Sequence, residues 1–299
     1  MAALALSITS LPSQAELQSF ARAAALLLTE RQPRTLGARI VKRKAGVVVQ
    51  HPDHRDYVPG DEVRHIDWRQ TARRRRPTVR QFESESSSDW IVLLDASSSM
   101  AIHQASKWRA APRAGAAMRY ALLELGHRVG LLAFGGRVLA ECPRGRGQSH
   151  YASIVRTLRE LRPAPAGQGS DLGACARRMH GAASVFAVGD FLPADQMCRG
   201  LGEILQRCTS LHALQVTDAG ETDLSTTGEV ELVDVETGAT IPAHADSATT
   251  ASAERERAEM TRRLRVFCRR SGIAFTTWDA ARPWQPALIQ HLLQARSAC

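Results

Sequence analysis

A chain of 299 residues with 44% apolar side chains is long enough for one large domain, or two moderate ones, with a sizeable core. No apolar run reaches the roughly 18 residues that span a bilayer, and Met1 to Leu6 lacks the basic segment of a secretory leader, so the expectation is a soluble, cytoplasmic protein without a membrane span. The net charge of +9 is carried by arginine, with Lys42, Lys44 and Lys107 the only lysines; that balance suits an acidic partner, but aromatic residues at 5% leave few platforms for stacking bases.

Ser13-x-x-Glu16 is a capping box. The helix it opens puts Leu17, Phe20, Ala21, Ala24, Leu27 and Leu28 on one face and is predicted to end near Arg31, within a helical segment 1–34. Residues 35–89 carry short β-like pieces (46–50, 78–82) and read as a small β-rich subdomain. From residue 90 to 299 strands and helices alternate. Strands are predicted at 91–95, 129–134, 184–188, 211–216 and 273–276, with helices around 107–126, 149–161, 171–181, 194–207, 253–271 and 285–296. The alternation predicts a doubly wound, mostly parallel α/β sheet with helices on both faces. Gly126 suits the residue after a helix end, and Pro112 either kinks its helix or marks its start. Segment 226–243 alternates like a hairpin and interrupts the rhythm as an insertion. Residues 243–252, rich in Ala, Ser and Thr, are predicted to form a mobile loop.

The six cysteines show neither Cys-x-x-Cys pairing nor histidines at zinc spacing, and read as reduced, mostly apolar residues. The chemistry gathers instead at strand ends. The run Ile91-Val-Leu-Leu94 stops at Asp95, followed by Ser97 and Ser99. Ser170 lies just before a helix, and a second apolar run, 185–188, ends at Gly189-Asp190. Parallel sheets bring such strand ends to one edge. There Asp95, Ser97, Ser99, Ser170 and Asp190 would surround one point, an oxygen set suited to a hard divalent cation. Each residue taken alone is better explained as a cap or turn former; the ordered set is what points to a metal site.

The ordered set resembles the metal-ion-dependent adhesion site of von Willebrand factor A-like domains. The resemblance implies that Ser97 and Ser99 coordinate the metal directly, and that Asp95 acts through water or orients the site. Ser170 stands where that family has threonine, and Asp190 matches its last acid. The ion implied is Mg²⁺, or another divalent cation such as Mn²⁺ or Ca²⁺. An open coordination position would accept an Asp or Glu from a protein partner.

A second resemblance rests on residues 55–83: Arg55-Asp-Tyr57-Val-Pro59-Gly60-Asp61-Glu-Val-Arg64-His-Ile-Asp67-Trp68, then Thr71-Ala-Arg73 and Val79-Arg-x-Phe-Glu83. This looks like the signature of the domain-of-unknown-function family numbered 58. It continues through Lys107, the Ser170 loop, Asp190, Asp218-x-x-Glu221 and the 234–238 turn, covering nearly everything after residue 35. The chain departs from that family in a glycine-poor stretch at 46–54, in Ala101-Ile102 where a Phe-Gly pair is usual, and in lacking the transmembrane helices of many relatives. The resemblance implies a MoxR-type AAA+ ATPase as associate in assembly or maturation of protein complexes, with nucleotide chemistry left to that partner.

Within the signature, Pro59-Gly60 signals a turn. Asp61, Arg64, Asp67 and Arg73 would form ion pairs clamping the β subdomain on the sheet, with Trp68 adding apolar area. The alternative makes Asp61, Glu62 and Asp67 a metal or catalytic cluster. Arg73 to Arg76, with Arg69 and Arg80, either bind phosphates or form a solvated basic face. The leading expectation is a non-enzymatic adaptor. Its rivals are a nucleic-acid binder through the Arg69–Arg80 face and a metal-dependent hydrolase. Against the last stands the lack of an identifiable general base, and neither a Gly-x-Ser-x-Gly elbow nor a P-loop occurs.

Overall fold

A computed structural model describes residues 11–28, 53–57, 66–74, 76–81, 89–102, 105–181, 183–222, 228–234 and 238–297. The chain divides into two compact units, Met1–Arg31 with Ser88–Cys299, and Gln32–Ser87.

The smaller unit holds an antiparallel pair, β1 (Asp53–Asp56) and β2 (Thr78–Gln81), and a short helix α2 (Trp68–Arg74). Asp67 organises the start of α2: its Oδ1 accepts from Arg69 N at 3.0 Å and its carbonyl from Thr71 N at 2.8 Å. Its own amide donates to Thr78 O at 2.8 Å, tying helix to strand. The fully buried Thr78 closes the loop: its hydroxyl donates to Arg76 O at 2.9 Å and its amide to Thr71 Oγ1 at 3.0 Å.

In the larger unit, α1 (Gln14–Leu28) opens on the capping box: Glu16 Oε2 accepts from Ser13 N at 2.8 Å, and Ser13 Oγ accepts from Glu16 N at 3.3 Å. Leu17, Phe20, Ala21 and Ala24 are buried as their spacing predicts. This helix is an integral part of the larger unit rather than a separate segment, because Phe20 meets Trp284 edge-on at 5.4 Å between ring centroids.

The six-stranded sheet contains β3 (Asp89–Asp95), β4 (Arg128–Phe134), β5 (Val138–Gly145), β6 (Ser184–Gly189), β7 (Ser210–Thr217) and β10 (Ala274–Asp279), in the order β10-β7-β6-β3-β4-β5. All neighbours are parallel except β4 and β5. Like α2 and β1 of the smaller unit, β5 is not predicted, alone among the six strands of this sheet. It pairs back on β4 through the tight Gly135-Gly136 turn, and its broken register and half-exposed residues blur the alternation. A Cβ on Gly136 would stand 2.2 Å from Gln168 O, so the turn has room only for glycine.

The helices are α3 (Ser106–Glu124), α4 (Gly147–Glu160), α5 (Leu172–Arg178), α6 (Ala194–Leu205), α7 (Ser247–Arg270) and α8 (Trp284–Ser297). They cover both faces of the sheet. Val92 and Leu94 of β3 join one core with α1, α3, α4 and α8; Ile91 and Leu93 join the other with α5, α6 and α7. Strands buried on both faces read as continuous apolar runs, which is why β3, β4 and β6 were predictable. Pro112 lies inside α3, and Gly126, at φ 79°, ends it with His127 N donating to Leu122 O at 3.0 Å.

A separate ribbon, β8 (Gly228–Val233) with β9 (Thr240–Ala245), stands where the hairpin was predicted. Residues 243–252 are not a mobile loop. They complete β9 and begin α7, because Asp246 caps that helix by accepting from Thr249 N at 2.7 Å. Among the described residues no helix is long and apolar enough to cross a membrane.

Candidate functional site

The sheet sets up its own site. The chain runs from β3 outward to β4 and β5, then returns to the other side of β3 with β6. Ligands of open α/β sheets bind at such a reversal, beyond the carboxyl ends of the strands. Asp95 ends β3 and Asp190 follows β6, so the two carboxylates flank that crevice. A Cβ on Gly189 would lie 2.5 Å from Asp95 Cβ; glycine there is what lets Asp95 sit against the β6 backbone.

All five expected residues are buried: Asp95 1% exposed, Ser97 0%, Ser99 8%, Ser170 1% and Asp190 1%. Asp95 Oδ1 accepts from Ser97 N at 2.9 Å, which turns the chain into a 3-10 turn, Ser98–Ala101. That turn aims Ser97 Oγ and Ser99 Oγ at each other, 2.9 Å apart. The Ser170 loop is pinned over the same edge. Ala164 N donates to Ala96 O at 2.6 Å, Asp171 N to Gly135 O at 2.7 Å, and Gln196 Nε2 to Ser170 O. Ser170 Oγ is buried and has no hydrogen-bond partner among the described residues. No hydrogen bond joins Ser170 Oγ to the serine pair among the described residues.

Asp190 lies apart from the serines in its bonding. Its Oδ2 accepts from Lys107 Nζ at 2.8 Å, its Oδ1 from Leu192 N at 3.3 Å, and its carbonyl from Gln215 Nε2 at 2.9 Å. Lys107 Nζ also stands 2.5 Å from Glu221 Oε1, in ionic contact without hydrogen-bond alignment, and Glu221 Oε2 pairs with Arg257. The result is a buried ion chain, Asp190–Lys107–Glu221–Arg257. Ser106, beside Lys107, donates to Asp218. Burial draws the Arg257 guanidinium down, against the attraction of Asp190 and Asp218. Burial likewise pushes the Cys175 thiol up, and the nearby charges of Asp95 and Asp171 add to it, so the sulfur under the site stays protonated.

Backbone strain collects here too. Ala105 (φ 55°) and Phe191 (φ 53°) are the two non-glycine residues with positive φ among the described residues. One precedes Lys107 by two positions and the other follows Asp190. Left-handed backbone costs an ordinary residue about 1–2 kcal/mol, and its concentration at one edge is typical of a site the surrounding structure holds in place.

The donor set suits a hard cation in part. Three hydroxyls and the Asp95 carboxylate are all oxygen, and an orphaned buried hydroxyl such as Ser170 Oγ is what a bound ion would satisfy. Asp190 fits less well, because both its oxygens already have partners.

The signature residues divide. Pro59, Gly60, Asp61, Glu62 and Arg64 lie outside the described residues. Tyr57 donates its amide to Pro77 O at 2.8 Å, and Arg73 and Arg76 are exposed. Trp68 is 66% exposed, so it does not add buried apolar area; it begins α2 directly after its cap and faces outward. Lys107, Glu221 and Arg257 were absent from the expected site. For Lys107 and Glu221 the available signal was their place in the second resemblance, in a chain with three lysines among its many arginines.

Comparison with known proteins agrees with the second resemblance. An uncharacterized protein of Mycobacterium bovis, and uncharacterized proteins of the CDC 1551 and H37Rv strains of Mycobacterium tuberculosis, are each 31% identical over 227 residues, covering 69% of this chain and 70% of theirs. The family described as "Protein of unknown function DUF58" matches residues 53–263, a span running from β1 into α7 and enclosing every residue of the strand-end cluster. The chain therefore belongs to the DUF58 family.

Proposed function

We propose that this protein is a non-enzymatic interaction adaptor whose larger unit is a von Willebrand factor A-like domain. A divalent cation, Mg²⁺ first among candidates, is held by Ser97, Ser99 and Ser170 with Asp95 and Asp190 in support. The ion supplies a coordination position that an Asp or Glu of a protein partner fills. Beside the buried cluster, Ser98 is partly exposed and Ile102 is 38% exposed, surfaces such a partner would meet. The partner proposed is a MoxR-type AAA+ ATPase in the cytoplasm, with the pair acting in assembly or maturation of protein complexes.

One observation carries the reading. At the reversal point of the sheet, a carboxylate and a facing pair of serine hydroxyls lie buried together, with a third, unpartnered hydroxyl on the loop above. Neutral hydroxyls leave a bound ion electrophilic, which favours capture of an incoming carboxylate over hydrolysis. The test is a pull-down of the co-purified ATPase with and without EDTA, repeated with Asp95→Ala. Loss of capture in both supports metal-dependent docking; undiminished capture in both overturns it.

A further inference from the structure

Lys107 is buried to 1% in a place where lysines are rare, and its ammonium faces two carboxylates. At the edge of an oxygen-lined crevice it performs the electrostatic task that a divalent ion would perform. Both Asp190 oxygens are engaged: Oδ1 takes the Leu192 amide and Oδ2 takes Lys107. A cation that reaches Asp190 meets the ammonium already seated on Oδ2, and the ammonium, a like charge, resists its approach.

Lys107 also has somewhere to go. Glu221 Oε1 is already 2.5 Å away, and the other Glu221 oxygen is held by Arg257. Separation from Asp190 therefore does not strand a buried charge, and two arrangements of the chain of ions are available. The geometry points to Lys107 as the residue that sets cation affinity at this edge: ammonium and divalent ion compete for Asp190, and binding of the ion shifts Lys107 onto Glu221. This rests on the metal reading of Asp95, Ser97 and Ser99, which the experiment tests separately. Because Glu221 and Arg257 lie on either side of the β8–β9 ribbon in the chain, the exchange also reaches the root of that ribbon.

The experiment uses the full-length protein and Mg²⁺ or Mn²⁺ alone. Calorimetry is expected to give a Kd at least tenfold tighter for Lys107→Met, which removes the competitor, and several-fold weaker for Glu221→Gln, which removes the ammonium's second seat. A purely structural role weakens binding in both. Because Lys107→Met leaves two carboxylates with one arginine and can fail to fold, a second measurement stands beside it. With Lys42 and Lys44 changed to Arg, Lys107 is the only lysine, and its ¹⁵Nζ resonance is followed during titration. The expected result is a shift that saturates at the calorimetric Kd. Binding to the wild-type protein with a stationary Lys107 resonance overturns the competition and leaves the metal site standing. Absence of binding to both the wild-type protein and folded Lys107→Met overturns the site, and the competition with it.

Discussion

Gly189 and Asp95 share a space that a single methyl group would fill: a Cβ on Gly189 falls 2.5 Å from the Asp95 Cβ and 2.8 Å from its Oδ2. The strand pairing puts them directly abreast, one step beyond Leu94 and Val188. Gly189→Ala is expected to cost about 1–3 kcal/mol of stability through overpacking between two buried strands. It should also abolish Mg²⁺ binding, because Asp95 is pushed off the backbone that supports it. Urea unfolding and calorimetry on the same sample check both; a stable variant with wild-type ion affinity contradicts the close approach.

The buried ion chain and the surface pairs should respond differently to loss of one member. The Glu221 side chain, 4% exposed, lies between Lys107 and Arg257, and Glu221→Ala is expected to destabilise by about 1–3 kcal/mol, because Arg257 loses its carboxylate while Lys107 keeps only Asp190. The loss should barely change with salt, since buried charges are poorly screened. On α7, Glu259 pairs with Arg262 at 2.6 Å and Arg263 at 3.2 Å in solvent. Glu259→Ala should leave the melting temperature nearly unchanged despite the strong lowering of that carboxyl to about 2.

Acid sensitivity should have one identifiable source in His291. It is fully buried, with Nδ1 2.7 Å from Thr276 Oγ1, and burial first, then the neighbouring His212, lower its pKa to about 3. The folded value lies below the unfolded one, so the unfolded chain takes up a proton first as the pH falls below 6.5. Stability contributed by the neutral ring is whole above that pH and is lost progressively toward pH 3. Between pH 7 and pH 5 the loss is about 2 kcal/mol. His291→Leu should flatten that part of the stability profile in denaturant titrations.

Arg119 presents the opposite case. It is fully buried on α3 beside Cys142 and Tyr151, its three guanidinium nitrogens have at most the Cys142 thiol as a partner among the described residues, and burial lowers its pKa to about 9. Arg119→Met keeps the volume and removes the desolvated charge, and should raise stability by about 1–3 kcal/mol. A clear fall in the urea midpoint would assign the guanidinium a stabilising role.

Much of this architecture could be read from residue order. β3 and β6 declared themselves as apolar runs ending in acids and β4 as an apolar run, and Asp95 and Asp190 could be placed at one edge because a strand's end has a fixed position in such a sheet. The capping box at Ser13 and Glu16 acts locally and was equally plain. β5 escaped because an edge strand needs only half an apolar pattern, and its bulges break even that. Lys107 and Glu221 were legible as parts of the family signature but not as partners of Asp190. Lys107 and Asp190 lie 83 residues apart, and nothing near a lysine in sequence tells that its helix will turn it inward. Trp68 misled in the other direction: its size suggested burial, while the cap before it settled its direction.

The contact between Phe20 and Trp284 fixes an order of events during synthesis. α1 is made before the elements that seat it, α3 and α8. Its apolar face must wait while the chain between α1 and α8 is synthesised. Non-local closure of this kind slows folding and leaves apolar surface open to misassociation. A nascent chain stalled before residue 284 should therefore hold α1 incompletely packed, and chaperone capture of this protein should fall off only once α8 is released.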